Sequence, residues 1–223
     1  MESRNTKHSL VGKGPFFDLA LFPWVADIAA DTPAIRSELD SLLSRVNELP
    51  SIHDIAPNQQ ELSNDPGWKT VFFYMAGRRI ALNCERCPTT EMALLKIPGL
   101  VAAFYSILAP GKRLSPHRGP YNGVLRYHLG LKIPASDSTC AIRVGTETRH
   151  WMEGGSLIFD DTYDHEAWNL TSEHRAVLFV DFKRPLPLRQ STLNDSMLWL
   201  AAKTPIVSVA VKNQANWEKS FYA

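Results

Sequence analysis

The chain has 223 residues, 44% of them apolar and 21% charged, with a formal net charge of +1. That supports one domain with a real core, and the charge balance calls for neither nucleic acid nor an anionic membrane as partner. No apolar run reaches the ~20 residues of a transmembrane segment, the start lacks a secretory h-region, and an odd set of cysteines (Cys84, Cys87, Cys140) makes no disulfide framework, so a cytoplasmic location is expected.

In chain order, 1–15 reads as a loose arm and 22–28 as an apolar plug. Thr32 and Pro33 open a helix to about Val46, Thr32 as N-cap and Pro33 at the first helical position, with Ile35, Leu39, Leu42, Leu43 and Val46 on one stripe. Residues 47–67 are rich in Pro, Asn, Ser and Asp and read as a surface loop of the kind that lies over a site. Strands follow at 70–75, 100–108, 124–133, 139–144, 147–151, 156–160, 166–169 and 175–182, with a short helix at about 89–95. Short strands at such spacing, each closed by a turn signal, read as a sandwich or barrel. In the tail, 191–203 reads as a helix; the apolar 206–211 reads as a strand, and both are expected to pack rather than to touch lipid.

The stretch 115–133, SPHRGPYNGVLRYHLGLKI, is the centre of the chain. Strand side chains alternate between faces. Val124, Arg126, His128, Gly130 and Lys132 therefore line one face, and Leu125, Tyr127, Leu129 and Leu131 the other. The second row reads as a packing layer and the first as the lining of a polar cavity. His117 lies in a turn-rich segment and His165 after the acidic turn of FDDTYDHEAWN. In an antiparallel fold the two can meet at one rim, and converging imidazoles suit Zn, Fe, Cu or Ni; the competing reading makes each a satisfied turn histidine. His128 reads as a hydrogen-bond donor or a buried structural residue. Arg175 starts the last strand and wants a carboxylate or phosphate, unless it is a structural ion pair with Asp160, Asp161 or Asp181. Cys84-x-x-Cys87 reads as packing, because zinc needs a second pair. The acidic cluster Asp160, Asp161, Asp164, Glu166 either orients His165 or is a solvated turn.

Five pieces, YSILAPG, PHRGPYNGVLRYHLGL, IRVG, FDDTYDHEAWN and RAVLFVDFKRP, occur in order between 68 and 185. This pattern resembles the aspartyl/asparaginyl β-hydroxylase family of Fe(II)/2-oxoglutarate dioxygenases. The resemblance implies a mostly β fold with flanking helices, built as a double-stranded β-helix: a jelly-roll, cupin-like barrel. It divides one oxygenase domain, 1–223, into an N-terminal helix and loop extension (1–66), a β-helix core (67–186) and a C-terminal helical tail (187–223). It implies His117 and His165 as catalytic iron ligands, Arg175 and Ser106 on the distal carboxylate of 2-oxoglutarate, and Arg126 and His128 on the carboxylate beside the keto group. The expected cofactors are Fe(II), 2-oxoglutarate and O2. The expected reaction is hydroxylation of an unactivated carbon of an amino-acid-type substrate, free, peptidyl or lipid-linked, with release of succinate and CO2. Related oxygenases place a carboxylate two residues after the first histidine, where this chain has Gly119; the resemblance assigns that glycine to the animal members too. Those members carry basic residues where this chain has Phe104 and Val124, which weighs against an acidic side chain as substrate. Competing classes are a non-catalytic carboxylate-binding module, a zinc-dependent isomerase or hydrolase, and an iron-dependent halogenase.

Overall fold

The two faces of the strand at 124–132 separate the layers of the molecule. The computed structural model describes residues 4–63 and 65–223. Its elements are α1 (Arg4–Lys7), α2 (Trp24–Ala30), α3 (Thr32–Leu43), α4 (Ile52–Ile55), β1 (Trp68–Met75), β2 (Arg78–Arg79), α5 (Ala81–Arg86), α6 (Pro88–Leu94), β3 (Leu100–Leu108), β4 (Arg113–His117), β5 (Val124–Lys132), β6 (Cys140–Val144), β7 (Glu147–His150), β8 (Ser156–Phe159), β9 (His165–Asn169), β10 (Arg175–Lys183), α7 (Leu188–Ala201) and α8 (Pro205–Phe221). Leu125, Tyr127, Leu129 and Leu131 of β5 join Phe73, Leu178 and Val180 in a core shared with Ile28, Ile35 and Leu39 of the helices. Ile35, Leu39 and Leu42 sit on one side of α3 and are buried; each such side chain contributes ~1.5–3 kcal/mol of burial before entropy is charged. On the other face of the same sheet, Phe72, Phe104 and Phe179 meet Leu114, Ile142 and Ala167. The order is helices, a large sheet, then a small sheet. The inner strands of the large sheet are buried on both faces, which is why β1, β3 and β10 read as nearly unbroken apolar runs.

The closed barrel expected from the resemblance is not what forms. The large sheet runs β2-β1-β3-β10-β5-β8 and the small one β4-β9-β6-β7, both open and antiparallel. The N-terminal arm explains one unclosed edge. Phe16 pairs with Phe159 of β8, Phe17 N donates to Ile158 O at 2.9 Å, and Asp160 N donates to Pro15 O at 3.0 Å. The hydrogen bonds a closing strand would need are thus already taken. At the opposite side, Thr70 N donates to Pro50 O at 2.9 Å, beside a Ser51–Lys69 bridge.

Other expectations shift locally. The arm 1–15 is not loose where described: Asn5 reaches Asn122 and Leu10 N bonds Pro185 O; residues 1–3 lie outside the described part. Residues 22–28 enter α2. Thr32 does not cap α3; its hydroxyl donates back to Ala29 O at 2.6 Å. The segment 47–67 carries α4 and buries Leu49, Ile52 and Ile55. Helix α5 sits where no helix was expected, holding Cys84 against Phe73 O. Burial pushes the Cys84 and Cys87 thiols up to about 12, the opposite of a ligating thiolate. The apolar 206–211 is helical. Pro205 starts α8, and Gln214, Glu218 and Phe221 anchor one face of it. Among the described residues no helix is long and apolar enough to cross a membrane.

Candidate active site

β4 and β9 are neighbours in the small sheet, and their register sets His117 directly opposite His165. Between Leu114 and His117 the register slips by one residue at Pro116, which has no N–H to give to a ladder. The imidazole centroids lie 4.0 Å apart with their planes at 51°. Each Nδ1 faces a main-chain carbonyl: Ser115 O at 2.7 Å for His117 and Tyr163 O at 3.0 Å for His165. A carbonyl only accepts, so each Nδ1 carries the proton and each Nε2 keeps its lone pair, the form that binds metal. Burial, helped by the Arg126 charge, holds His117 below its ordinary pKa and brings His165 down to about 3, so both rings are neutral.

No side chain at position 119 can join them. Gly119 N donates to Asp161 O at 2.7 Å, and a Cβ on Gly119 would overlap the Asp161 carboxylate. The Asp161 carboxylate fills the space in front of Gly119. Its Oδ2 pairs with Arg126 Nη2 at 2.8 Å, and its buried Oδ1 has no hydrogen-bond partner. Burial pushes this carboxyl up to about 6 against the pull of Arg126. Among the described residues no three His, Cys, Asp or Glu side chains converge as a metal cage. Gly119→Ala is therefore expected to lower stability by about 1–3 kcal/mol, as overpacking does, read as a lower urea midpoint with unchanged slope; an unchanged midpoint would mean that Asp161 moves freely.

The anion end lies on the large sheet. Trp151 Nε1 donates to His128 Nδ1 at 3.3 Å, so the His128 proton is on Nε2, which is buried without a partner. Burial and the nearby Arg175 and Arg126 hold His128 well below its ordinary pKa, so it is a neutral donor. Arg175 is 1% exposed, donates Nη1 to Ser106 O at 3.3 Å, and lies 4.4 Å above the Trp151 ring. Its Nε has no partner, and burial brings its pKa down to about 10. The ion pairs considered for it do not form. Asp160 pairs with Arg184, while Asp181 binds Arg126 Nε at 2.8 Å beside Asp161. Trp68 Nε1 donates to Ser106 Oγ at 3.0 Å, which leaves the Ser106 hydroxyl proton to donate elsewhere.

His117, His165, Ser106, Arg126, His128 and Arg175 all line one cavity of about 280 Å³. The alternation along β5 is right for Arg126 and His128; Val124, Gly130 and Lys132 fall outside the lining of this cavity. Ile52, Ala56, Gln59 and Leu62 of the segment 47–67 form part of its wall. The acidic turn does not orient His165: Asp164 and Glu166 are held by Arg143. Three residues play parts in the site that the sequence reading does not give them. Trp151 fixes His128 and covers Arg175. Asp181 stands directly across the β5–β10 ladder from Arg126, a pairing readable only once the register is known. Phe104 stacks on Phe179 at 4.2 Å and makes the wall apolar. A second cavity of about 400 Å³ abuts the first at Arg126, Asp161 and Asp181, and is lined by Val101, Val124, Met197, Leu198 and Ala201.

Comparison with known proteins bears on the family of the chain. The family model for aspartyl/asparaginyl beta-hydroxylase matches residues 29–185. An ornithine lipid ester-linked acyl 2-hydroxylase from Rhizobium tropici is 48% identical over 222 residues, covering 100% of this chain and 79% of that protein. The human aspartyl/asparaginyl beta-hydroxylase is 38% identical over 134 residues, 58% of this chain but only 17% of its own length. Among solved structures, a cupin 2 conserved barrel domain protein from Salinispora arenicola is similar over 61% of this chain and 89% of its own, at 11% identity and a TM-score of 0.35, too weak to carry a fold argument. A family match over most of the chain and a relative aligned along its whole length leave one assignment: the chain belongs to the aspartyl/asparaginyl beta-hydroxylase family of Fe(II)/2-oxoglutarate dioxygenases.

Proposed function

We propose that the protein is a 2-oxoglutarate-dependent hydroxylase acting on the ester-linked acyl chain of an amino-acid lipid, at the carbon next to the carbonyl. The observation that carries the cosubstrate is Arg175, a buried cation with no carboxylate partner, beside an unpartnered His128 N–H. A buried charge of this kind is expensive unless something pairs with it. A dicarboxylate supplies that pair.

The residues present fit the family's metal and cosubstrate. His117 and His165 would hold Fe(II) through their free Nε2 atoms, with Gly119 adding no ligand. Arg175 and the Ser106 hydroxyl would take one carboxylate, and His128 Nε2–H with Arg126 the other. Bound together, iron and 2-oxoglutarate supply the O2-driven oxidation of an unactivated C–H bond, yielding succinate and CO2. The chain's own work is to bind and to exclude water. Asp161 and Asp181 lock the Arg126 guanidinium, which lies 4.2 Å above Phe179. The Phe72–Phe104–Phe179 stack keeps the pocket wall dry.

Two features support a lipid substrate within the amino-acid-type class. The acyl 2-hydroxylase relative aligns over the tail as well as the core. Phe104 and Val124, where the animal members are basic, belong here to apolar cavity walls. The test is incubation with Fe(II), 2-oxoglutarate and ornithine lipid in detergent. The expected result is succinate together with a one-oxygen mass gain on the ester-linked chain. Succinate-free incubations with unchanged lipid would overturn the reading, and a chlorinated product in chloride buffer would replace it with halogenation.

A further inference from the structure

Helix α7 is built inside out. Its fully buried residue is Asn194, whose carboxamide accepts from Tyr121 Oη at 2.6 Å and donates to Gly123 O at 2.8 Å. Its large apolar residues face solvent instead. Of the fourteen large apolar side chains exposed among the described residues, half fall between Leu188 and Val209. Trp199 is 58% exposed, and Ile206 at the start of α8 is 59% exposed. An ordinary surface helix turns such residues to the core. A concentration of them on the outside marks contact with another phase or partner.

Three observations select a lipid surface. First, the patch leads inward. Met197, Leu198 and Ala201 line the 400 Å³ cavity that runs past Val101 and Val124 to the Arg126–Asp161–Asp181 wall of the active site. Second, Lys203 Nζ lies 3.4 Å above the Trp199 ring. An indole capped by a snorkelling ammonium suits the boundary between acyl chains and headgroups. Third, the local charge is basic although the whole chain is near neutral. Residues 187–223 carry Arg189, Lys203, Lys212 and Lys219 against Asp195 and Glu218. Both acids are withdrawn from the surface field, Asp195 by Lys183 at 2.6 Å and Glu218 by burial, while Arg189, Lys203 and Lys212 are exposed beside the apolar residues. That pattern complements anionic headgroups. With no helix suited to spanning, the helices lie on the surface rather than cross it.

We infer that the corner formed by α7 and the start of α8 docks on an anionic bilayer, so that an acyl chain enters the active site through the cavity behind Met197. The inference rests on the lipid-substrate reading for its purpose, yet its test needs no turnover. The full chain is floated with phosphatidylcholine vesicles containing phosphatidylglycerol, without iron or cosubstrate. The protein is expected to float with the vesicles, and added salt to weaken but not abolish binding. Trp199→Glu with Ile206→Glu should cut the bound fraction by about tenfold or more. Met92→Glu with Leu95→Glu, exposed apolar residues at α6, should leave it unchanged, and melting curves verify that each variant is folded. Protein that stays out of the vesicle layer, or a Trp199/Ile206 variant that floats like the parent, overturns the docking. So does a dimer in size-exclusion chromatography that this variant dissociates, because a second copy would then be the occupant. Hydroxylation of detergent-dispersed lipid is scored separately, so docking and substrate assignment can fail independently.

Discussion

Replacing Arg175 with methionine is expected to raise the melting temperature of the ligand-free protein and to abolish its response to 2-oxoglutarate. The two effects have one origin. Arg175 is desolvated without a counterion, and its folded-state pKa is lowered to about 10. For a base, a lowered pKa means that folding disfavours the charged form. The penalty is fully present at neutral pH, where the unfolded chain keeps its proton, and is relieved only as pH rises above about 10. Methionine fills similar volume without charge, and such replacements are neutral or stabilising by ~1–4 kcal/mol. The same change removes the grip on the distal carboxylate, a charge-assisted pair whose loss costs ~2–5 kcal/mol. In the parent protein 2-oxoglutarate should raise the melting temperature by mass action; in Arg175→Met it should not, and the KM for 2-oxoglutarate should rise ~100-fold or more. Arg175→Lys should recover only part of the binding, since an ammonium lacks the two-pronged geometry. A variant less stable than the parent by several kcal/mol would show that the contacts of Arg175 with Ser106 O and the Trp151 ring outweigh the cost of its buried charge.

What the sequence disclosed about this site follows from the range of each signal. Alternation is local, so the faces of Arg126 and His128 are legible from β5 alone. The meeting of His117 and His165 is not local. It depends on the register of β4 against β9 and on the one-residue slip at Pro116. The Arg126–Asp181 pair is hidden for the same reason. Closure of the sheets is also a long-range property. Strand number and turn spacing are alike for an open sandwich and a barrel, and the resemblance supplied the barrel. The arm at Pro15–Phe17, too short to read as a strand, occupies the β8 edge. In the tail, the helix expected at 191–203 is present as α7 and only the strand reading of 206–211, a matter of propensity, is overturned. Ile206, Val207, Val209 and Val211 favour strands, but Thr204-Pro205 is a helix start, and Gln214, Glu218 and Phe221 at helical spacing hold α8 down.

Removing either imidazole should separate folding from chemistry. His117→Ala and His165→Ala each delete one hydrogen bond to a main-chain carbonyl and leave a small void. The expected loss of stability is about 1–2 kcal/mol, and the fold persists. The expected loss of function is far larger. Among the described residues no third His, Cys, Asp or Glu joins the pair, and Gly119 contributes no side chain, so one substitution leaves a single protein ligand. Metal affinity should fall by ~1000-fold, about 4 kcal/mol, and turnover should drop to background. The comparison with Arg175→Met then decides between a hydroxylase and a carboxylate-binding module. In a module the anion end works alone, and both histidine variants should keep the full thermal shift on adding 2-oxoglutarate, with or without Fe(II). In a hydroxylase the metal and the cosubstrate hold each other in place, so the iron-dependent part of that shift should vanish in both histidine variants while a weaker, iron-independent part survives through Arg175 and His128.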